Sequence, residues 1–225
     1  MLCIALTTAF AGVLLVAGCP RGSAPGTPWL LATLGLAFIA GWQRVRVSPH
    51  ATLSLGFVTV IWALVHFGPH AALAAGAVSG VAIVIAPLLT RPISTLAGIY
   101  AVATATAGAG LAGAVYRLAG GVPGSVDVWG MAVPAFAAIA TYDLANCGLV
   151  ALLGGLASRT PIWPHFRSHF ALTGRVYWAG AGLAVLAHLT WRVAGAWPII
   201  AIAPIAYCLY LALPHLRPAP PAERA

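Results

Sequence analysis

The sequence predicts an all-α, polytopic membrane helix bundle, and its composition carries that prediction. Of the 225 residues, 61% are hydrophobic and only 6% are charged, whereas soluble domains carry about 25% charged residues. The apolar runs are long and rich in Ala, Leu and Gly, without the apolar–polar alternation of barrel strands. Because backbone groups in lipid must be satisfied within each segment, these runs favour helices.

Eight apolar runs, separated by short Arg-, Pro- and Gly-rich connections, predict about eight membrane spans. A helix needs about 20 apolar residues to cross the hydrocarbon. The second and third runs are short, so a re-entrant or tilted segment there, and as few as six spans in total, are alternatives. The predicted spans are residues 2–19, 28–42, 52–68, 70–89, 95–117, 129–156, 175–193 and 196–214.

No long polar linker divides the chain, which predicts a single integral membrane domain over residues 1–225. Two leading spans occupy residues 1–44, and residues 217–225 form a short tail. The stretch "LLVAGC", ending at Cys19, is similar to a lipoprotein cleavage box. Since no Lys or Arg precedes it, an ordinary first membrane helix is favoured over lipidation.

The arginines predict the orientation of the chain in the cell membrane. All eleven basic residues are Arg, and assigning them to alternate sides of eight spans gives eight against three. The positive-inside rule puts the richer side, with both termini, in the cytoplasm. Their spread over many loops does not indicate a nucleic-acid surface. The richer side has Arg44, Arg46, Arg91, Arg159, Arg167, Arg175, Arg217 and Arg224; the other has Arg21, Arg117 and Arg192.

Residues 161–175, "PIWPHFRSHFALTGR", mix aromatic and basic side chains between the sixth and seventh predicted spans. This pattern is typical of a short helix lying in the membrane interface, here on the cytoplasmic side. A plain polar loop is the alternative. We expect Trp163, Arg167 and Arg175 to contact a partner protein.

Two small-residue patterns predict close helix packing. "GAGLAG", residues 108–113, fits the dinucleotide-binding fingerprint, but that fingerprint has meaning only after a strand and at the start of a helix. Inside an apolar helix it favours close approach to a neighbouring helix. Ala72, Gly76 and Gly80, spaced four apart, form a second such face. These faces permit self-association without requiring it.

Histidines at a spacing of four suggest metal sites, but the sequence argues against one. His66 and His70 are separated by Gly-Pro, which should break the helix between them. His165 and His169 belong to the opposite side of the membrane in the predicted orientation. We therefore expect neither a metal site nor a cofactor.

Asp143, in "TYDLANCG", is the only acidic residue within a predicted span. On a helix, Asp143, Asn146 and Cys147 lie at i, i+3 and i+4 and share a face. A charged Asp near the bilayer centre costs about 2.5–3.5 kcal/mol on insertion scales. It should therefore face the bundle interior, with Asn146 as its nearest partner in sequence. Three roles are open: a neutral hydrogen-bonding group, a ligand- or ion-pocket group, or a residue closer to the interface.

Catalysis is not expected from this sequence. General acid–base catalysis usually needs two positioned titratable groups, and the apolar spans supply a single acid. We therefore predict that the chain is not an enzyme and has no catalytic residues.

Two stretches resemble a known family. Residues 52–92 begin "TLSLGF" and contain "FGP", and residues 142–170 run "YDLANCGLVALLGGLASRTPIWPHFRSHF". Together, over most of residues 45–216, they resemble the N-terminal multi-span membrane module of bacterial signalling proteins that carry an HD-GYP phosphodiesterase, a GGDEF cyclase or a kinase. The residues that match its Y-x-L-x-N-x-x-L-V-A-L helix are Tyr142, Leu144, Asn146, Leu149, Val150, Ala151 and Leu152.

The resemblance implies a membrane sensory or regulatory module that signals to a separate kinase, cyclase or phosphodiesterase. The residues after the last predicted span are too few for the catalytic domain of that family, so none of its chemistry is carried over. The family usually has an uncharged residue where Asp143 stands. A weaker likeness, over about forty residues, is to the substrate-capture subunits of energy-coupling-factor transporters. It implies the alternative: a small-solute capture subunit or transporter component that partners an ATPase module.

Overall fold

The computed structural model describes residues 27–48, 51–88 and 95–195, and these are predominantly α-helical, as predicted. Six helices and one two-stranded hairpin occupy the described ranges. In chain order they are α1 (Thr27–Trp42), β1 (Arg44–Ser48), β2 (Ala51–Ser54), α2 (Gly56–Phe67), α3 (Pro69–Leu88), α4 (Thr95–Leu118), α5 (Val128–Ser158) and α6 (Ile162–Ala194).

Two of these helices, α4 and α5, are long and apolar enough to cross a membrane. Helix α6 is a third if its two limbs, Ile162–Ala171 and Thr173–Ala194, which are bent by 46°, form one span. The described residues thus contain two or three candidate spans, fewer than the sequence predicted for the same ranges. Helix α2, with 12 residues, covers only about 18 Å of the roughly 30 Å of hydrocarbon. Predicted spans 2–19 and 196–214 lie outside the described residues.

The predicted start of the third span is wrong, because residues 52–54 belong to strand β2. In the antiparallel hairpin Arg44 pairs with Ser54 and Val45 with Leu53, with an irregularity between Arg46 and Ser48. "RVRVS" alternates charged and apolar residues with the period of a strand. This alternation does not form a continuous apolar run, which is the pattern that predicted the spans.

The predicted helix break within "HFGPH" is confirmed at Gly68. Its φ of 100° lies in a region that glycine adopts readily and other residues rarely do. The Gly68 N–H donates to the carbonyl oxygens of Ala63 and Leu64, both at 3.0 Å, and so ends α2. Pro69 then begins α3, where its missing N–H costs no helical hydrogen bond.

The predicted small-residue packing faces are confirmed between α3 and α4. A Cβ added to Gly76 would lie 2.7 Å from Ala109 Cβ, and one on Gly80 would lie 2.9 Å from Val102 Cα. These distances are shorter than side chains tolerate, so the two backbones meet only because both positions are glycine. The 108–113 motif therefore lies within a packed helix, with no strand leading into it.

The remaining helices pack around this pair. Helix α3 also contacts α1 and α2, and α4 contacts α5. A core formed by Ile61, Ile139, Ala181 and Ala184 joins α2, α5 and α6. The chain divides into two compact units after His188; of the second unit the structure describes only residues 189–195. The single membrane domain over the whole chain stays a prediction.

We expect Gly76→Ala to lower the free energy of unfolding by about 1–3 kcal/mol, the usual cost of overpacking a tight contact. The physical reason is the 2.7 Å approach to Ala109. The measurement is unfolding of the protein in mixed detergent micelles, followed by circular dichroism.

Gly148→Ala, on α5, is the matched control, since no atom lies within 4 Å of its added Cβ. Alanine there should leave stability unchanged or raise it by about 0.5–1 kcal/mol through helix propensity. Equal effects of the two substitutions would contradict the close α3–α4 packing.

Candidate functional site

Asp143 lies at the midpoint of α5 and faces the interior of the bundle. It is the sixteenth residue, counted from Val128, of a 31-residue helix, so about 22 Å of helix extends on either side. Its side chain is 0% exposed. The sequence-based expectation of an inward-facing acid is confirmed, and the geometry does not favour a position near the interface.

The nearest polar neighbour of Asp143 is Cys147, one turn further along α5. Cys147 Sγ lies 3.2 Å from Asp143 Oδ1 and 3.4 Å from the hydroxyl of Thr173, on α6. The Thr173 hydroxyl in turn donates to the carbonyl oxygen of His169 at 2.9 Å. These side chains of Asp143, Cys147 and Thr173, hereafter the Asp143 cluster, are buried and link α5 to α6.

The second carboxyl oxygen of Asp143 has no hydrogen-bond partner among the described residues. A Cβ on Gly174 would lie 3.5 Å from this Oδ2 atom. The glycine therefore lets the α6 backbone pass close to the carboxyl group without offering it a donor.

No basic side chain within the described ranges pairs with Asp143, whose only polar contact is the Cys147 thiol. An S–H group is a weak donor. A carboxylate with this single contact would be poorly compensated in a low-dielectric interior. The electrostatics of the site therefore favour a neutral carboxyl group or a bound cation over an isolated charge.

Asn146 does not pair with Asp143, the partner suggested by sequence proximity. Its side-chain amide donates instead to the hydroxyl of Tyr177, on α6, at 2.7 Å. The ring centroid of Tyr177 lies 4.4 Å from that of Phe57, on α2. Asn146 thus forms a second polar link between α5 and α6, one helical turn from Asp143, and ties both helices to α2.

The bend in α6 falls between Ala171 and Thr173, beside the Asp143 cluster. A Thr hydroxyl that bonds to the carbonyl four residues earlier often bends a helix, and Thr173 makes this bond to His169. The same hydroxyl contacts Cys147. Thr173 therefore lies at the bend and is also one of the residues through which α6 contacts α5.

The predicted interfacial segment is helical, so the alternative of a plain loop is wrong for residues 162–171. Trp163 is 69% exposed, and its ring, with those of Phe166 and Phe170, forms a stacked row with centroids 5.6 Å apart. Arg167 is exposed on the same limb, whereas Arg175 is exposed beyond the bend. The three residues predicted to contact a partner thus lie on two limbs of α6.

The structure brings together a second polar group that the sequence analysis did not single out. His66 Nδ1 lies 3.0 Å from His188 Nδ1, and His188 Nε2 lies 2.9 Å from the carbonyl oxygen of Ser125. Trp62 stacks on the His66 ring with centroids 4.9 Å apart. His188 is fully buried. A lone His inside the apolar run "AVLAHLTW" is the signal that could have found it.

The histidines paired by sequence spacing take separate partners. His70 Nε2 lies 3.1 Å from Arg117 Nη2, and His165 Nε2 lies 2.7 Å from the hydroxyl of Thr160. Across the part of the chain that the structure describes, no three His, Cys, Asp or Glu side chains come together as a metal site.

No family model, curated protein or solved structure matches this chain. The geometry of the described residues is therefore the basis for a functional interpretation.

Thr173→Val should lower the free energy of unfolding by about 1 kcal/mol, because it removes a buried hydroxyl that contacts Cys147. Combining it with Cys147→Ala in a double-mutant cycle isolates the interaction, for which we expect a coupling of at least about 0.5 kcal/mol. The measurement is equilibrium unfolding in mixed micelles.

Thr141→Val is the matched control. The Thr141 hydroxyl also donates to the carbonyl four residues earlier, at 2.8 Å, but it is not part of the Asp143 cluster. A coupling between Thr141 and Cys147 as large as that between Thr173 and Cys147 would contradict a specific link between α5 and α6.

Proposed function

We propose that the protein is an integral membrane sensory or regulatory module that signals to a separate partner protein through the bend in α6. The observation that carries this proposal is the position of Thr173. It is the first residue beyond the bend, and it contacts the thiol that also contacts Asp143. A change in the state of Asp143 can therefore reach the bend through one intervening side chain.

The Asp143 cluster has few hydrogen atoms, and their number limits which contacts can form together. The Thr173 hydroxyl donates to His169, so its oxygen can only accept from the Cys147 thiol. Cys147 has a single S–H hydrogen, which it donates to Asp143 Oδ1 at 3.2 Å. A hydrogen on the carboxyl group would take over this contact and release the thiol hydrogen to Thr173. A neutral Asp143 thus satisfies all three contacts in one chain from Asp143 to His169.

An ionised Asp143 breaks this chain. The thiol then turns its only hydrogen to the carboxylate, and the contact between Cys147 and Thr173 is left without one. Loss of the Asp143 proton, or coordination of a cation at Oδ2, therefore loosens Thr173 from α5. A ten-residue limb is about 15 Å long, so straightening a 46° bend would displace its far end by about 12 Å.

The displaced limb contains the residues suited to partner contact. Trp163 and Arg167 are exposed on it, and the excess of arginines on one side of the predicted spans supports a cytoplasmic position for this limb in a multi-pass cell-membrane protein with both termini inside. The resemblance to bacterial signalling modules supports a kinase, cyclase or phosphodiesterase as the partner. The chain itself has no catalytic role in this proposal.

The bend is tested by pulsed electron paramagnetic resonance on the full chain in nanodiscs, with spin-labelled non-natural residues at Ser168 and Gly148. These sites leave Cys147 intact. Cys147→Ala removes the link from Asp143 to Thr173, so we expect the 168–148 distance distribution to shift by up to about 5 Å, the displacement of Ser168 on straightening.

Asp143→Asn should keep the unshifted distribution, because its amide still donates to the Cys147 sulfur. Asp127→Asn changes the other described acid, which caps the N-terminus of α5, and should also have no effect. An unchanged distribution in the Cys147→Ala protein would overturn the proposed coupling.

Partner contact is tested by in-membrane crosslinking in the native cell, followed by mass spectrometry. We expect the double charge reversal Arg167→Glu and Arg175→Glu to abolish recovery of the signalling partner. Arg192→Glu, predicted to lie on the opposite side of the membrane, is the control. Intact partner recovery by the double variant would contradict this surface.

A second candidate function is small-solute capture as a transporter component. The unpartnered Oδ2 atom of Asp143 favours it, because a buried acceptor facing Gly174 suits a donor group on a ligand. Recovery of an ATPase pair in the crosslinking experiment would support this class. Asp143→Ala should then weaken solute uptake, and unchanged uptake would remove the role.

A further inference from the structure

The charged residues at the ends of α5 limit its depth in a bilayer. Asp127 and Arg159 are the nearest charged residues in sequence on either side of Asp143, and each is 16 residues away. At about 1.5 Å of rise per residue, each lies about 24 Å from Asp143. The hydrocarbon extends about 15 Å from the bilayer midplane. If α5 crosses the membrane with both charged ends outside the hydrocarbon, Asp143 is therefore within about 9 Å of the midplane.

Two exposed tryptophans narrow this range. Trp129, which is 85% exposed, is about 21 Å from Asp143 along α5. At the other end, Trp163 follows Ile162, whose Cγ1 atom would lie 2.8 Å from a Cβ on Gly155. That glycine is about 18 Å from Asp143 along α5. Trp side chains are enriched at both membrane–water interfaces, and a bilayer centred near Asp143 puts both tryptophans there.

Arg175 lies at nearly the same depth as Asp143, on the outer side of α6. The preceding residue, Gly174, faces the Asp143 carboxyl group, with 3.5 Å between Oδ2 and an added Cβ. Gly174 is buried, whereas Arg175 is exposed. A bilayer centred near Asp143 leaves Arg175 about 15 Å from either headgroup layer. Its guanidinium group is always charged, and a charge at this depth in lipid is costly.

The acids of this chain do not compensate the charge of Arg175. The three acidic residues are Asp127, Asp143 and Glu223. Asp143, the nearest of the described acids, contacts Cys147 and has no partner for Oδ2 among the described residues, so it does not pair with Arg175. Asp127 caps the start of α5, about 24 Å away, and Glu223 follows the last predicted span. A compensating negative charge at this depth therefore comes from another molecule.

We propose that Arg175 binds an acidic side chain within a membrane-spanning helix of a partner protein. A guanidinium group and a carboxylate form two parallel, charge-assisted hydrogen bonds. The exposed residues Ala179 and Gly182 follow Arg175 at i+4 and i+7 on α6, and an added Cβ on Gly182 has no atom within 4 Å. Small residues let a second helix approach closely. This surface fits a partner helix that has Asp or Glu near its midpoint.

The phosphate of a membrane lipid is the other source of negative charge. It lies in the headgroup layer, about 15 Å from the depth of Arg175, which is further than a snorkelling side chain carries its charge. The depth of Arg175 therefore favours a carboxylate within a protein span. The contact rests on the proposed function only in requiring a partner, and a signalling protein and a transporter subunit satisfy this requirement equally.

The test is photocrosslinking in the native cell from a diazirine amino acid at position 179, one helical turn from Arg175 on the same exposed side of α6. Mass spectrometry identifies the crosslinked peptide. We expect a peptide from a membrane span of another protein, with Asp or Glu within about one turn of the crosslink. Arg175→Gln should lower the crosslink yield at least about tenfold, because removing one member of a desolvated charge pair leaves the other unpaired.

A charge exchange then identifies the pair. Arg175→Glu alone should abolish the crosslink, and Arg175→Glu combined with replacement of the partner's acid by Arg should restore it. Arg192→Gln is the matched control, since this exposed arginine is 17 residues further along α6, about 25 Å away. It should leave the crosslink yield unchanged.

Three results would overturn the contact. One is a crosslink yield that survives Arg175→Gln, and another is a crosslinked peptide that comes from this chain or has no acid. The third is crosslinking to lipid alone. If a signalling partner is recovered through Trp163 and Arg167 while position 179 crosslinks to lipid alone, this contact is wrong and the proposed function stands.

Discussion

The rest of the structure depends on the need to accommodate one carboxyl group in an apolar interior. Asp143 lies at the midpoint of α5, fully buried, and its single polar contact among the described residues is a thiol. In lipid or in a packed core, such a group must be neutral or bound. Cys147 and Thr173 can form a chain of hydrogen bonds that a neutral carboxyl group completes, and Gly174 lets the α6 backbone pass close to this group. The bend of α6 falls beside the same threonine.

Small residues make these polar contacts possible. Glycines at 76 and 80 bring α3 and α4 to backbone contact, and in membranes this packing supplies much of the association energy. Gly180 plays the same part between α6 and α2, where an added Cβ would lie 2.6 Å from the Phe57 ring. Because these glycines bring the helices close together, side chains as short as Cys and Thr can form contacts between them. Larger residues would separate the helices and leave the polar groups unsatisfied.

The sequence predicted the helical membrane class, the helix break at Gly68, the small-residue faces and the inward position of Asp143. Each follows from local composition or from spacing on one helix. Spacing also put Asp143, Asn146 and Cys147 on one face, but it suggested Asn146 as the partner of Asp143, whereas the contact is with Cys147. Thr173, Tyr177 and His188 could not be predicted as partners, because that requires knowing which face of α6 meets α5 and α2. The hairpin from Arg44 to Ser54 was missed because its alternating period differs from that of the apolar runs around it.

The central claim, that Asp143 is neutral within the chain of hydrogens, is tested most directly by infrared spectroscopy of the protein in nanodiscs at neutral pH. The chain has only three acidic side chains, so the C=O stretching band of a protonated carboxyl group can be assigned by one substitution. The account predicts such a band in the unmodified protein and its loss in Asp143→Asn, with Asp127→Asn unchanged. A spectrum without a protonated carboxyl band at neutral pH would contradict the account.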